Sequence, residues 1–237
     1  MRCYDWYLIP QPMKKLILLL VLAGTVFIAL YNFVPAFRHH IYYQYFVLTR
    51  PHTAGGPCGP NCNGYDEFPP GELSYSDTLP DFLRDSINRI HVSGIVHDVN
   101  GTPAPGILLY IFQANTSGIY PKTGRESGAD SINGYLRSWL VTDAQGRYSF
   151  YTNRPGAYPG TKRMAHIHCI VKEPNINAYT LPDFVFPNDP NLTRKARHTS
   201  QENNGGLLIE AGNTGEITEY RRNIYLGRNV INYPKGK

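Results

Sequence analysis

The chain has 237 residues, 42% hydrophobic and 17% charged, with a net charge of +5. This is an ordinary globular composition, and the length, less an apolar N-terminus, supplies about one domain with room for a full core. The charge is dispersed, and its one cluster, Arg194-Lys195-Ala196-Arg197-His198, reads as a solvated loop, so nothing points to DNA or RNA.

Leu16 to Val34 contains no charged residue, and Lys14-Lys15 stands directly before it. Those 19 residues, coiled as a helix, nearly match the hydrocarbon layer of a bilayer. Arg2, Lys14 and Lys15 outweigh Asp5 on the leading side, which puts the N-terminus in the cytoplasm and exports the rest. The expected plan is a short cytoplasmic N-terminus over 1–15, a transmembrane anchor or signal segment over 16–36, a tether over 37–89 and a β domain over 90–237. A secretory signal is the competitor, particularly with translation starting at Met13, and cleavage would leave the protein secreted. The apolar run is long, however, and Val34-Pro35-Ala36 is a poor small-residue cleavage site, so the segment reads as an uncleaved anchor. The lysine flank and terminal position argue against a buried core helix.

Within the tether, Tyr42, Tyr43 and Tyr45 suit a membrane interface. Pro51 to Pro70 is rich in glycine and proline and contains Cys58-Gly59-Pro60-Asn61-Cys62. The spacing is not that of a redox Cys-x-x-Cys, and no second pair exists to build a tetrahedral zinc site. A tight disulfide in an oxidising compartment is expected, with two free thiols as the alternative. Cys3 would be cytoplasmic and Cys169 an inert buried thiol. Leu79 to Ile90 has room for a short helix.

From Ile90 onward the rhythm is β. His91 to Asp98 alternates apolar with polar, and Asn100-Gly101 supplies a hairpin-type turn. Ile107 to Phe112 is apolar enough to be buried on both faces. Thr142 to Thr152 reads as a turn shaped by Asp143 and Gly146, then a strand of alternating aromatics. Leu207-Leu208-Ile209 and Tyr220 to Leu226 close the domain. The predicted fold class is all-β: an antiparallel β-sandwich with an N-terminal transmembrane helix and long loops at 113–138 and 172–206.

His166-Ile167-His168 runs into Cys169-Ile170-Val171, a strand-like stretch. Alternate side chains share a face of a strand, so the two imidazoles project together, either as metal ligands or as hydrogen-bonded strand histidines. Tyrosines on the loops, Tyr120 after Gly118 and Tyr158 within Pro155-Gly156-Ala157-Tyr158-Pro159, are the candidates to complete a coordination sphere. With 18 tyrosines in the chain, any single one has packing as its ordinary role.

The ordered set Gly118-x-Tyr120, Thr142-Asp143-x-x-Gly146-x-Tyr148-x-Phe150, Pro155-Gly156-x-Tyr158-Pro159 and Arg163-x-x-His166-x-His168 resembles the intradiol ring-cleavage dioxygenases. The likeness covers roughly residues 90 to 231 and extends to Phe186-Pro187-Asn188-Asp189-Pro190. Gly134 to Trp139 and Leu226 to Pro234 are similar to an exported bacterial branch of that family. The resemblance implies an intradiol-type sandwich in which Tyr120, Tyr158, His166 and His168 bind iron(III), Fe(3+). It further implies a catechol-type substrate and O2 as partners, and cleavage between the two hydroxylated carbons to a muconate-type diacid. On the same analogy Tyr158 leaves the metal and takes up a substrate proton, while Arg163 stabilises the anionic ring. Two phenolates and a hydroxide would balance the charge of ferric iron, with the imidazoles neutral.

Some positions depart from the family pattern. The segment between Tyr158 and His166 is short and lacks a tryptophan after Tyr-Pro, Met164 stands where proline is common, and Cys169 where phenylalanine is common. No helical linker domain of the catechol type follows the anchor. The sandwich strands are also similar to transthyretin-like and carboxypeptidase-regulatory-like modules, which bind without catalysing. A zinc hydrolase built on His166 and His168 would want a further histidine or carboxylate.

Overall fold

A computed structural model of the chain describes residues 10–34, 37, 41, 54–55, 72–84, 86–125, 130–202 and 204–234. Cys3, Cys58, Cys62 and the interfacial tyrosines lie outside the described residues. The chain divides into two compact units, Met1–Thr49 and Arg50–Lys237.

In the first unit, helix α1 runs over Gln11–Phe33. Pro12 falls in its first turn, where a missing N–H costs nothing. Its polar side chains satisfy themselves locally: Thr25 Oγ1 donates to the Leu22 carbonyl and Asn32 Nδ2 to that of Ile28. None of its residues is buried, and the helix is long and apolar enough to cross a membrane.

The second unit is two β-sheets packed face to face. The first contains β1 (Ser76–Thr78), β2 (Arg89–His97), β5 (Arg147–Asn153), β9 (Ile209–Thr214) and β10 (Ile217–Arg221), in the order β1-β5-β2-β10-β9, with β11 (Ile224–Tyr225) also on β2. The second contains β3 (Leu108–Gln113), β4 (Arg137–Val141), β6 (His166–Lys172) and β7 (Tyr179–Thr180), in the order β4-β3-β6-β7, with β8 (Phe184–Val185) also on β6. Val92, Val96 and Phe150 of the first sheet meet Leu109, Ile111, Ile167, Cys169 and Val171 of the second in one core.

The expectation of a purely antiparallel sandwich is corrected here, because β1–β5, β2–β10 and β2–β11 pair in parallel. Parallel neighbours need long connections, and most of the domain lies between β2 and β10, so no hairpin fixes their relative direction. The Asn100-Gly101 turn forms, with Gly101 at φ 83, and folds Pro103 back on His97 in an antiparallel bridge before the chain crosses to the other sheet. Over Leu79 to Ile90 the described backbone forms turns instead of a helix, because Asp81 and Asn88 take left-handed φ values of 71 and 55. The basic cluster, expected as a loop, belongs to an exposed helix over Arg194–Glu202. Thr193 Oγ1 caps it by accepting from the Ala196 N–H, and His198 pairs with Glu202 one turn on.

Candidate metal centre

Strand β6 does what its alternation requires. Ile167, Cys169 and Val171 enter the core, while His166 and His168 share the opposite face. The register Phe112↔His168 sets Phe112 beside the second histidine, and their rings stack with centroids 4.5 Å apart. The first histidine is steadied from behind: Asp189 accepts from the Ala165 N–H at 2.9 Å, just before His166.

Two loops deliver the tyrosines. Asn115 Oδ1 accepts from the N–H groups of Ser117 and Ile119, folding the loop tightly ahead of Tyr120. The Gly156 N–H donates to the Asn115 carbonyl at 2.9 Å, tying this loop to the one that carries Tyr158. The tie needs both glycines. A Cβ on Gly118 (φ 77) would overlap the Ala157 carbonyl oxygen, and one on Gly156 would overlap that of Thr116. Only bare backbone lets the loops touch, and their touching sets the phenols side by side.

The four donor atoms converge. Tyr120 and Tyr158 hydroxyls lie 2.5 Å apart, His168 Nε2 is 2.8 Å from Tyr120 and 3.3 Å from Tyr158, and His166 Nε2 is 3.1 Å from Tyr158. The distal nitrogens are spoken for: His166 Nδ1–H donates to the Met164 carbonyl at 2.6 Å, and His168 Nδ1–H to Asp183 Oδ1 at 2.7 Å. Both Nε2 atoms therefore present lone pairs. Two hydroxyl protons can satisfy at most two of the four short contacts, and the others set lone pair against lone pair. A cation resolves that conflict. Donors about 2.1 Å from a common ion lie roughly 3 Å apart at right angles, which matches this spacing.

The electrostatics agree. Burial, then the hydrogen bond with Tyr158, raises the Tyr120 pKa above the ordinary phenol range. Burial also raises that of Tyr158, though its bond with Tyr120 and the charge of Arg163 oppose the rise. Burial holds the His166 pKa down, which favours the neutral imidazole, the form able to ligate a cation. Without a bound cation both phenols stay protonated, so metal binding would release protons.

Arg163 stands at the rim, 55% exposed, with its guanidinium carbon 5.8 Å from the Tyr158 ring centre and Nη2 3.1 Å from Asp183 Oδ2. Asp183 is the residue that sequence reasoning missed. His166, His168 and Asp183 offer donor atoms within 4.8 Å of one another, yet the chain from Asp183 to Pro190 reads only as a proline-punctuated loop. A hollow of about 510 Å³ on the first sheet, bounded by Tyr75, His91, Arg147 and Arg221, contains none of these side chains.

The family model described as "Dioxygenase" (Dioxygenase_C) matches residues 77–226, more than half of the chain. The chain belongs to the intradiol ring-cleavage dioxygenases. That is a family of oxidoreductases. The chain is similar to the protocatechuate 3,4-dioxygenase beta chain of Burkholderia cepacia, 34% identical over 110 residues, which are 44% of this chain and 47% of that one. It is similar also to catechol 1,2-dioxygenase of Candida albicans, 37% identical over 71 residues, 30% of this chain and 22% of that one. The matches thus span less than half the length of these curated relatives. In fold the chain is similar to catechol 1,2-dioxygenase from Acinetobacter sp. ADP1, with a TM-score of 0.52 at 19% identity, covering 95% of this chain and 86% of that one.

Proposed function

We propose that the chain is a non-haem iron(III) dioxygenase that cleaves a catechol-type ring between its two hydroxylated carbons with O2, giving a muconate-type diacid. The observation that carries this reading is the convergence of two phenols and two imidazoles with too few protons for their mutual contacts. Tyr120, Tyr158, His166 and His168 would hold the iron. When bound, ferric iron supplies the redox chemistry that opens the substrate ring to dioxygen.

The protein's own residues have separable tasks. The Met164 carbonyl holds the His166 tautomer, so that Nε2 faces the metal position without a rotamer search. Phe112, stacked on His168, keeps water from one side of that ring. Tyr158, with Arg163 beside its ring, is the phenol that would move aside, and as the phenolate it becomes beside a bound cation its Oη would accept a proton from an incoming substrate hydroxyl. Arg163 offers a fixed positive charge beside Tyr158 to negative charge building on the ring. We further propose that α1 anchors the protein, with the β domain outside the cytoplasm.

Oxygen uptake by the iron-loaded protein, measured over a panel of catechols with ultraviolet spectra of the products, tests the activity. Stoichiometric oxygen consumption with a diacid product is expected. Iron-loaded protein that consumes no oxygen with any catechol would leave the sandwich as a binding module.

A further inference from the structure

We infer that Asp183 is a positioning residue of this centre, a carboxylate that orients His168 and tethers Arg163. The inference rests on the iron reading above. Strands β6 and β8 pair antiparallel as His166↔Val185 and Ile167↔Phe184, so the next step of the register sets Asp183 opposite His168, on the histidine face. The side chain is 22% exposed and both oxygens are engaged: Oδ1 by His168 Nδ1–H at 2.7 Å, Oδ2 by Arg163 Nη2 at 3.1 Å.

A neutral imidazole has a single N–H. An ionised carboxylate only accepts, so its bond to Nδ1 puts that hydrogen on the side away from the tyrosines and leaves the Nε2 lone pair toward them. His166 meets the same need with a backbone carbonyl, a dipole without net charge. The two histidines are therefore supported unequally. The charged partner polarises the His168 ring and makes its Nε2 the stronger donor, which favours the ferric state over the ferrous. The second oxygen gives the half-exposed Arg163 a fixed place at the rim, so one side chain sets both a ligand and the nearby positive charge. Direct ligation is the rival role, but both oxygens are already engaged, Oδ1 by the His168 Nδ1–H on the ring edge that faces away from the tyrosine oxygens and Oδ2 by Arg163.

The test compares full-length iron-loaded protein in detergent with Asp183→Asn and Asp183→Ala, reading the tyrosinate-to-iron absorption band, the Fe(III)/Fe(II) midpoint potential and iron loss to a chelator. Asp183→Asn can still accept from Nδ1–H but carries no charge. It should keep its iron, with the band at longer wavelength and the potential more positive. Asp183→Ala should bind iron about 10- to 100-fold more weakly, the usual cost of removing such a partner. Wild-type band, potential and affinity in both variants would overturn the inference. So would complete loss of iron from folded Asp183→Asn, which would make the carboxylate a ligand. A wild-type protein that stays colourless and iron-free after loading would instead sink the iron reading itself.

Discussion

Replacing Gly118 with alanine tests whether the loop-to-loop contact sets the spacing of the phenols. Two costs can be separated. A side chain at φ 77 is strained by about 1–2 kcal/mol, as for any L-residue in the left-handed region. The new Cβ would also sit 2.0 Å from the Ala157 carbonyl oxygen, whereas ordinary carbon–oxygen contacts are about 3.3 Å, so the loops must part by roughly 1.3 Å. Metal donors tolerate about 0.5 Å of misplacement, and a 1 Å error costs around 100-fold. Gly101→Ala is the control, because it has the same kind of strain at φ 83 but a Cβ there meets nothing within 4 Å. Each variant should lose about 2–4 °C of Tm per kcal/mol of strain. Only Gly118→Ala should also bind iron 10- to 100-fold more weakly, by about the margin that displaced ligands show. Equal iron content and equal visible absorption in the two variants would refute the spacing argument.

Tyr158→Phe should shift the visible absorption and slow turnover while leaving the melting temperature within a degree or two of wild type. His166→Ala should lose iron, and stoichiometric iron in that variant would remove His166 from the ligand set. Arg163→Leu should keep the colour but lower kcat by about 100-fold, the scale for removing one preorganised charge, and unchanged turnover would reduce Arg163 to a surface partner of Asp183. Burial pushes the Cys169 thiol from 9.0 up to about 12, so at pH 8 its thiolate fraction falls by about three orders of magnitude. Alkylation followed by peptide mapping should therefore label Cys169 at pH 8 only after unfolding, and rapid native labelling would contradict the burial. For α1, retention in membranes through an alkaline carbonate wash is expected, and release would favour a cleaved signal.

The four side chains that converge were legible in the sequence because each sits in a local pattern that its backbone demands. His166 and His168 are two apart on a strand, and Tyr120 and Tyr158 each follow a glycine that permits close approach. Strand β3 was equally legible, since a run apolar on both faces is buried on both. Asp183 was not, because it lies 15 residues beyond His168 and meets it only when the two-residue strand β8 folds back on β6. Nothing in Leu181-Pro182-Asp183 announces that pairing. The parallel contacts of β2 escaped for a related reason: strand direction is set by which distant segment fills the neighbouring slot, and alternation carries no information about it. The helix at Arg194–Glu202 hid behind its charge, having no apolar stripe to betray its period.

The glycine seam between the two tyrosine loops has a consequence for how such a protein diversifies. The interval between the phenols is fixed by main-chain atoms, which substitution at the loop surfaces leaves untouched. Ile119 and Lys162, both exposed on these loops, can change in size and charge without disturbing the backbone contact that spaces the two phenols.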